Sequence, residues 1–557
     1  MTDLLALPAW LAFLAAMVAV LVAPRRLGSA LAVALTALTV PWLVLSPAGS
    51  ALAVAPFGFE QVLVRLDGLT RPVAALFGAV AAANVAYAYA TGADRRETAY
   101  ALAYMGAGVA AVLAGDWLTL VIAWELLAVA STVLVWHHGT SAVRPAFRYA
   151  VYHLIGGAFL VAGVALHYAV TGTFLYAGGF APGLPTALAL VGVGVNLGVI
   201  GLHAWLPETY PVPHVAASVV LAGFTTKVAV YALARVTPDG ATVMAWLGAV
   251  MVLYGVSQAV LQTDMRRLLS YHIISQVGYM VVAVSVGTAA GLTGAFAHLT
   301  AHVLYKGLLF MVAGAIIVRT GEASLKHLGG LGRRMPVTFG TFLVAALAIT
   351  GVPPFSGFVS KGLIAKAVES GGADLLWWAL VLGSVGTALS FAKFGYYAFV
   401  RPAPDPVAVA PASRVLAPVL VAVAVPSVLF GLLPGQFLAL FPGDPAFDAY
   451  ATSELAKAAA TTGAGVALFV LFRGPLGRIR PVDVDRWLHP AVARLASGSA
   501  ALAAGTGAAA SRAGDRLAAR LGEQAGRDEP TTRPELRAAL LALVATAGAA
   551  LLVATLI

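Results

Sequence analysis

About sixteen stretches of roughly eighteen residues or more are apolar on every face, and no soluble fold can bury that many. They run over 4–22, 29–46, 70–91, 98–114, 117–136, 149–170, 185–206, 214–235, 242–261, 270–287, 291–318, 336–364, 374–400, 414–434, 456–472 and 537–556, and are numbered here as spans 1 to 16. Inside a bilayer every backbone amide must find a partner within the protein, which leaves helices or a closed barrel. A barrel requires alternating strands, and these stretches do not alternate. The fold class expected is an all-α polytopic membrane protein. Of the 557 residues, 60% are hydrophobic and only 10% charged, and none is cysteine, which removes disulfides, thiolate metal sites and a thiol nucleophile.

The net charge of +10 sits in short loops. It is therefore read as setting orientation rather than as binding nucleic acid. Arg25, Arg26, Arg95, Arg96, Arg144, Arg148, Arg266, Arg267, Arg319, Lys326, Arg333, Arg334 and Arg401 all follow odd-numbered spans, whereas Asp374, Asp444 and Asp448 lie in the other loops. This makes the odd loops cytoplasmic and places both termini outside a cell (inner) membrane. Span 1 is expected to be retained, since it follows an acidic Asp3 and has no basic leader. Residues 51–68 alternate near Phe57 to Val64 and fit a small external hairpin. Residues 474–535 fit a lateral amphipathic helix on the cytoplasmic face, or a linker, since Gly498, Gly505, Gly507 and Gly514 interrupt the pattern.

Ionisable residues inside spans are costly and are the candidates for function. Glu125 stands in VIAWELLAVA of span 5, Lys227 near the middle of span 8, and Lys361 in span 12. His298, His302 and Lys306 in span 11 are spaced by four, so they share one helical face, the side of a hydrated path. Burial disfavours a charge and a nearby opposite charge favours it, so a carboxyl with a movable cation beside it can take and release a proton. The His298 and His302 pair lacks an evident third ligand, and no metal or other cofactor is assigned. Prolines at 207, 211 and 213 interrupt the chain in and after span 7, and Gly351-Val-Pro-Pro-Phe-Ser-Gly357 interrupts span 12. Paired interrupted helices in two halves point to a transporter with an internal repeat.

Four stretches occur in order: LHAWLPETYP with TTKVAVYALAR, QTDMRRLLSYHIISQVGY, HLTAHVLYKGLLF, and GVPPFSGFVSK. Together they closely resemble the antiporter-like subunits shared by respiratory complex I, Mrp-type sodium/proton antiporters and membrane-bound hydrogenases, over most of residues 100–400, and look most like the D-type branch of the Mrp antiporters. The resemblance implies helices 1–3 in residues 1–96 and two inverted five-helix repeats in 97–236 and 237–400, with spans 7 and 12 broken. Spans 14 and 15 would follow in 401–473, the lateral segment in 474–535, and the last span in 536–557. It also implies a proton path along a central polar axis, in which Glu125, Lys227, His298, His302 and Lys361 match family positions; Lys306, on the face of the two histidines, is counted with that path, and Arg148, His203 and Lys393 are auxiliary candidates. One position departs from the pattern. Nine residues before Trp205, where the family usually has a lysine, stands Asn196, which hydrogen-bonds but carries no proton charge.

Two functions are therefore carried forward. The first is a proton-translocating subunit of a multisubunit cation/proton antiporter or related energy-converting complex, with other membrane subunits, protons, sodium as the antiporter's second ion, and lipid as partners. The second is a scaffold that conducts poorly or not at all, including one in an inorganic-carbon uptake complex. No GxxxxGK[ST] loop and no soluble catalytic domain is present, so an ATP-driven pump or an independent enzyme has no support.

Overall fold

The computed structural model describes residues 8–476, except 48, 50, 56–57, 177 and 444–445, together with 483, 484 and 486. The lateral segment expected at 474–535 lies almost wholly outside the described residues, and span 16 entirely so. The chain divides into two compact units, Met1–Pro481 and Val482–Ile557, and the first is described here.

Each of the first fifteen apolar stretches contains helix. Spans 1 and 2 are α1 (Trp10–Val22) and α2 (Arg25–Leu45). Strand β1 (Ala51–Val54) then pairs antiparallel with β2 (Gln61–Arg65). Spans 3 to 6 are α3 (Thr70–Thr91), α4 (Arg95–Leu113), α5 (Trp117–Trp136) and α6 (Thr140–Thr171). Span 7 is α7 (Leu184–Leu197) with α8 (Trp205–Thr209), and span 8 is α9 (Val215–Gly223) with α10 (Thr225–Val236). Spans 9 to 11 are α11 (Thr242–Leu261), α12 (Met265–Ser285) and α13 (Ala289–Thr320). The short α14 (Leu331–Arg334) precedes span 12, which is α15 (Pro336–Thr350) with α16 (Ser356–Ser370). Spans 13 to 15 are α17 (Asp374–Gly395), which ends in a π-helical turn, then α18 (Leu416–Leu432) with the short α19 (Pro434–Leu438), and α20 (Thr452–Leu476). Among the described residues, ten helices are long and apolar enough to cross a membrane by length and composition. The most apolar window is fully buried in span 8 and in α12 but only 11% buried in α20, so the former form the centre and the latter the rim.

One device occurs twice. Asp116 caps α5 by accepting from the Thr119 amide at 2.8 Å, while the Trp117 amide reaches across to the Phe174 carbonyl at 2.9 Å. Asp264 caps α12 by accepting from the Arg267 amide at 2.8 Å, and the Met265 amide reaches the Ala323 carbonyl at 3.0 Å. The two caps begin spans 5 and 10. The clasps thus recur five spans apart in the sequence.

Among the described residues, span 8 is interrupted as well as spans 7 and 12. Span 7 stops earlier than its prolines indicate: α7 ends at Leu197, where Gly198 at φ 75° turns the chain and the Val199 amide folds back to the Gly194 carbonyl at 3.0 Å. The prolines fall in and after α8. Span 12 repeats the turn, with Gly351 at φ 84° and the Val352 amide bonded to the Leu347 carbonyl at 3.0 Å. Span 8 breaks at Phe224, with no proline nearby. Phe224 wedges against Phe77 and Tyr104, at ring-centroid distances of 4.3 and 5.8 Å. Gly108 makes room for it, since a Cβ there would stand 2.8 Å from the Phe224 ring. The Thr225 amide leaves the helix ladder and donates to Tyr104 Oη at 2.9 Å.

At one end of span 8, Arg235 donates to Asp67 Oδ2 at 2.5 Å and lies over the rings of Tyr231 and Tyr176. Burial pushes the Asp67 carboxyl up, but the Arg235 guanidinium and the Thr70 and Leu69 amides outweigh it, holding the carboxyl below its ordinary value. Asp67→Ala leaves Arg235 without its carboxylate and is expected to lower stability by about 3 kcal/mol, read as a fall in thermal unfolding temperature. Because the folded pKa is depressed, this contribution is complete above the unfolded carboxyl value and is lost as pH falls through the folded one. The wild-type and variant curves should converge below about pH 4.

Candidate functional site

The interruptions gather the buried ionisable groups. Lys227 lies just past the break in span 8, fully buried, and its Nζ donates to the Ala222 carbonyl at 2.6 Å and to Thr226 Oγ1 at 3.0 Å. That carbonyl belongs to the last turn of α9. Lys361 repeats the geometry in span 12, where its Nζ donates at 2.7 Å to the Ile349 carbonyl at the end of α15. Lys393 of α17 donates to the Val260 and Gln262 carbonyls at 2.6 and 2.5 Å, at the end of α11. Helix ends at membrane depth leave carbonyls that require donors, and lysine ammonium groups meet that need in three places.

In the second half the polar groups form a near-continuous file. Lys361 lies 4.8 Å from the Tyr279 ring centroid, and Tyr279 is 5.8 Å from His298, centroid to centroid. His298 Nδ1 is 2.9 Å from Ser360 Oγ, next to Lys361 in sequence. Tyr305 Oη lies 3.3 Å from His298 Nε2 and donates toward Gln276 Oε1 at 3.4 Å. The His298 and His302 rings are 6.4 Å apart. Lys306, fully buried, reaches the Leu269 carbonyl at 3.4 Å and stands 5.9 Å from the Phe391 ring, which also faces His272 at 4.9 Å. Both ring nitrogens of His272 and of His302 lack a hydrogen-bond partner among the described residues.

The first half is organised differently. Glu125 of α5 is half-buried, with its carboxyl packed on the backbone of Gly157, where a side chain would displace it. Asn196 is fully buried two residues before the turn at Gly198, and its amide oxygen and nitrogen both lack partners among the described residues. Arg148 pairs through Nη1 with Glu208 at 2.7 and 2.5 Å, which ties α6 to α8. The hydrogen bonds of Lys227 and Arg148 therefore go elsewhere than to Glu125. His203 lies in the span 7 break, where its Nδ1 accepts from the Gly201 amide at 3.2 Å. A separate set of hydroxyls meets at the start of α10. Ser131 accepts from Tyr149 Oη at 3.0 Å, Tyr149 Oη lies 3.4 Å from Thr225 Oγ1, and Thr225 Oγ1 lies 2.7 Å from Tyr104 Oη.

Sequence reasoning named the charged members and missed the neutral ones. His272, Gln276 and Tyr279 recur at helical spacing within the quoted LLSYHIISQVGY, so their shared face was open to detection. Ser131, Tyr104 and Tyr149 sit on three different spans and carry no such signal.

A buried file of lysines, histidines and hydroxyls can pass a proton. Residues 114–390 match the family profile described as NADH:quinone oxidoreductase/Mrp antiporter, TM. The chain is 33% identical over 376 residues, 63% of its own length and 75% of the relative's, to subunit N of NADH-quinone oxidoreductase from Desulforudis audaxviator. It is 32% identical over 368 residues, 62% of its length and 74% of the relative's, to the D-type subunit of the Na(+)/H(+) antiporter from Bacillus subtilis. Its fold matches a chain of the Mrp complex from Dietzia sp. DQ12-45-1b with a TM-score of 0.68 at 26% identity, covering 83% of this chain and 99% of that one. The interrupted spans and buried lysines are thus set in a multi-pass membrane protein that belongs to the NADH:quinone oxidoreductase/Mrp antiporter family of transmembrane subunits.

Proposed function

We propose that this chain is a proton-translocating subunit of a multisubunit Mrp-type monovalent cation/proton antiporter or a related energy-converting membrane complex. The observation that carries the reading is the buried file from Lys361 through Tyr279, Ser360, His298 and Tyr305 toward His302, Lys306 and Lys393, in the interior of a membrane bundle. Charged groups at that depth are costly, and a proton route is the use that accounts for so many on one line. The recurrence of the aspartate clasp and the glycine turn five spans apart supports two inverted repeats, with boundaries near 97–236 and 237–400. The chain would sit in the cell membrane with both termini outside, beside other membrane subunits that supply the driving reaction or the sodium route. Glu125 would load protons in the first half, and the hydroxyls of Ser131, Tyr149 and Thr225, bridged by water, would carry them toward Lys227.

A second reading, a poorly conducting scaffold such as a subunit of an inorganic-carbon uptake complex, draws its support from Asn196, whose buried amide stands where the family resemblance implies a lysine. The two are separated by purifying the complex through a tag on this chain, identifying its subunits, and measuring proton flux in proteoliposomes. Conduction predicts flux above that of empty liposomes and a fall of about fivefold in Glu125→Gln. Flux equal to empty liposomes favours the scaffold.

A further inference from the structure

Helix α20 lies outside both the 114–390 match and the proposed repeats, yet it turns an acid inward. Glu454, in its first turn, is 8% exposed. The carboxylate closes on α16 where that helix has no side chain: a Cβ on Gly362, the residue after Lys361, would stand 3.5 Å from Glu454 Oε2 and 3.0 Å from the Phe447 ring. Lys457 Nζ then links Glu454 Oε1 at 3.1 Å to Glu369 Oε2 at 3.3 Å, the latter at the far end of α16. Between this triad and the central file lies a cavity of about 300 Å³ whose lining includes Lys361, Tyr279, Thr350, Ser384, Thr461 and Glu454. The cavity thus has the lysine of span 12 on its inner wall and a buried carboxylate on its outer one. Lys457, with its side chain 34% exposed, marks the mouth.

We infer that Glu454 is the proton acceptor for Lys361 on the side of the membrane reached by the 371–373 loop. This rests on the reading of Lys361 as part of the proton path. An N–H bond of the Lys361 ammonium breaks and an O–H bond forms on Glu454, the proton passing across water in the cavity. The amine is left neutral and the carboxyl protonated. Loss of the proton to solvent restores the carboxylate, which pairs again with Lys457. Glu369 holds Lys457 meanwhile, so the cation stays at the mouth rather than following the proton.

The purified complex in proteoliposomes tests this with three variants and one labelling measurement. Glu454→Gln keeps the shape and loses the acid, and is expected to cut proton flux by about fivefold or more, whereas Glu454→Asp retains most of it. Lys361→Ala is run beside them and is expected at background. If Lys361→Ala is at background while Glu454→Gln runs at the wild-type rate, the role of Glu454 is overturned and the path through Lys361 stands. If Lys361→Ala itself runs at the wild-type rate, the path reading fails and takes this inference with it. Because the chain has no cysteine, Ala458→Cys on the cavity wall can be probed with a charged, membrane-impermeant thiol reagent, against the complex with the cysteine-free chain as background. Labelling from the 371–373 side with block of flux is expected, and Leu471→Cys, 72% exposed on the same helix, should stay unlabelled. Labelling only from the opposite side, or none from either because a lipid chain fills the cavity, overturns the inference even if the glutamine variant fails to assemble.

Discussion

Lys227→Ala is expected to lower proton flux through the reconstituted complex by about tenfold or more, the effect of removing a positioned proton carrier. With asparagine at position 196, Lys227 is the lysine that remains in the first half, and it sits at the joint between α9 and α10. Its ammonium has no carboxylate among its hydrogen-bond partners, which are the Ala222 carbonyl and the Thr226 hydroxyl. Removing it therefore costs both a proton carrier and the donor that the Ala222 carbonyl needs. Lys227→Arg separates the two roles. A guanidinium can still donate to that carbonyl, but it does not give up its proton in a protein. If arginine restores assembly and leaves flux low, the lysine carries protons. If arginine restores flux as well, its part is structural, and wild-type flux in the alanine variant would remove it from the path altogether.

Gly357→Val is expected to reduce recovery of the folded chain several-fold and to destabilise what remains by about 3 kcal/mol. Gly357 opens α16 directly against the carbonyl of Ala348, in the last turn of α15, and any Cβ would collide with that oxygen. The strain would fall on the turn that begins at Gly351, so Lys361 would lose its place at the Ile349 carbonyl along with the fold. Gly340→Val on α15 is the matched control, because a Cβ there meets nothing within 4 Å. Size-exclusion profiles of detergent extracts and unfolding temperatures give the readout. Equal behaviour of the two variants would show that the span 12 interruption tolerates repacking.

The spans were legible in the sequence because a bilayer imposes a simple rule on length and polarity, and fifteen of the expected stretches contain helix among the described residues. The glycine turn in span 12 was legible for the same reason, since Gly351 and the two prolines after it are strong punctuation. The break in span 8 was not. Phe224 is an ordinary helix former, and what stops the ladder is a tertiary event, the fit of its ring between Phe77 and Tyr104 over Gly108. The prolines of span 7 misplaced its break by several residues, because a left-handed glycine at 198 ends α7 before they are reached. Charged site residues stood out by their cost at depth. Hydroxyl groups scattered over several spans do not stand out, and Tyr104, Tyr149 and Ser131 became part of the site only when three dimensions brought them to it. Glu454 escaped notice because the first turn of a helix is an unremarkable place for an acid, and only the fold shows that this turn faces inward.

The lysines at 227, 361 and 393 each rest on backbone carbonyls. A carboxylate partner would bind the ammonium form strongly and the free amine weakly, so each deprotonation would break an ion pair. A peptide carbonyl is a neutral acceptor, and an amine that has given up one proton still has two N–H bonds with which to hold it. These side chains can therefore change charge without changing place. The bundle has in effect separated the question of where a lysine stands from the question of whether it is charged, and a proton can leave with the least rearrangement of the atoms that carried it.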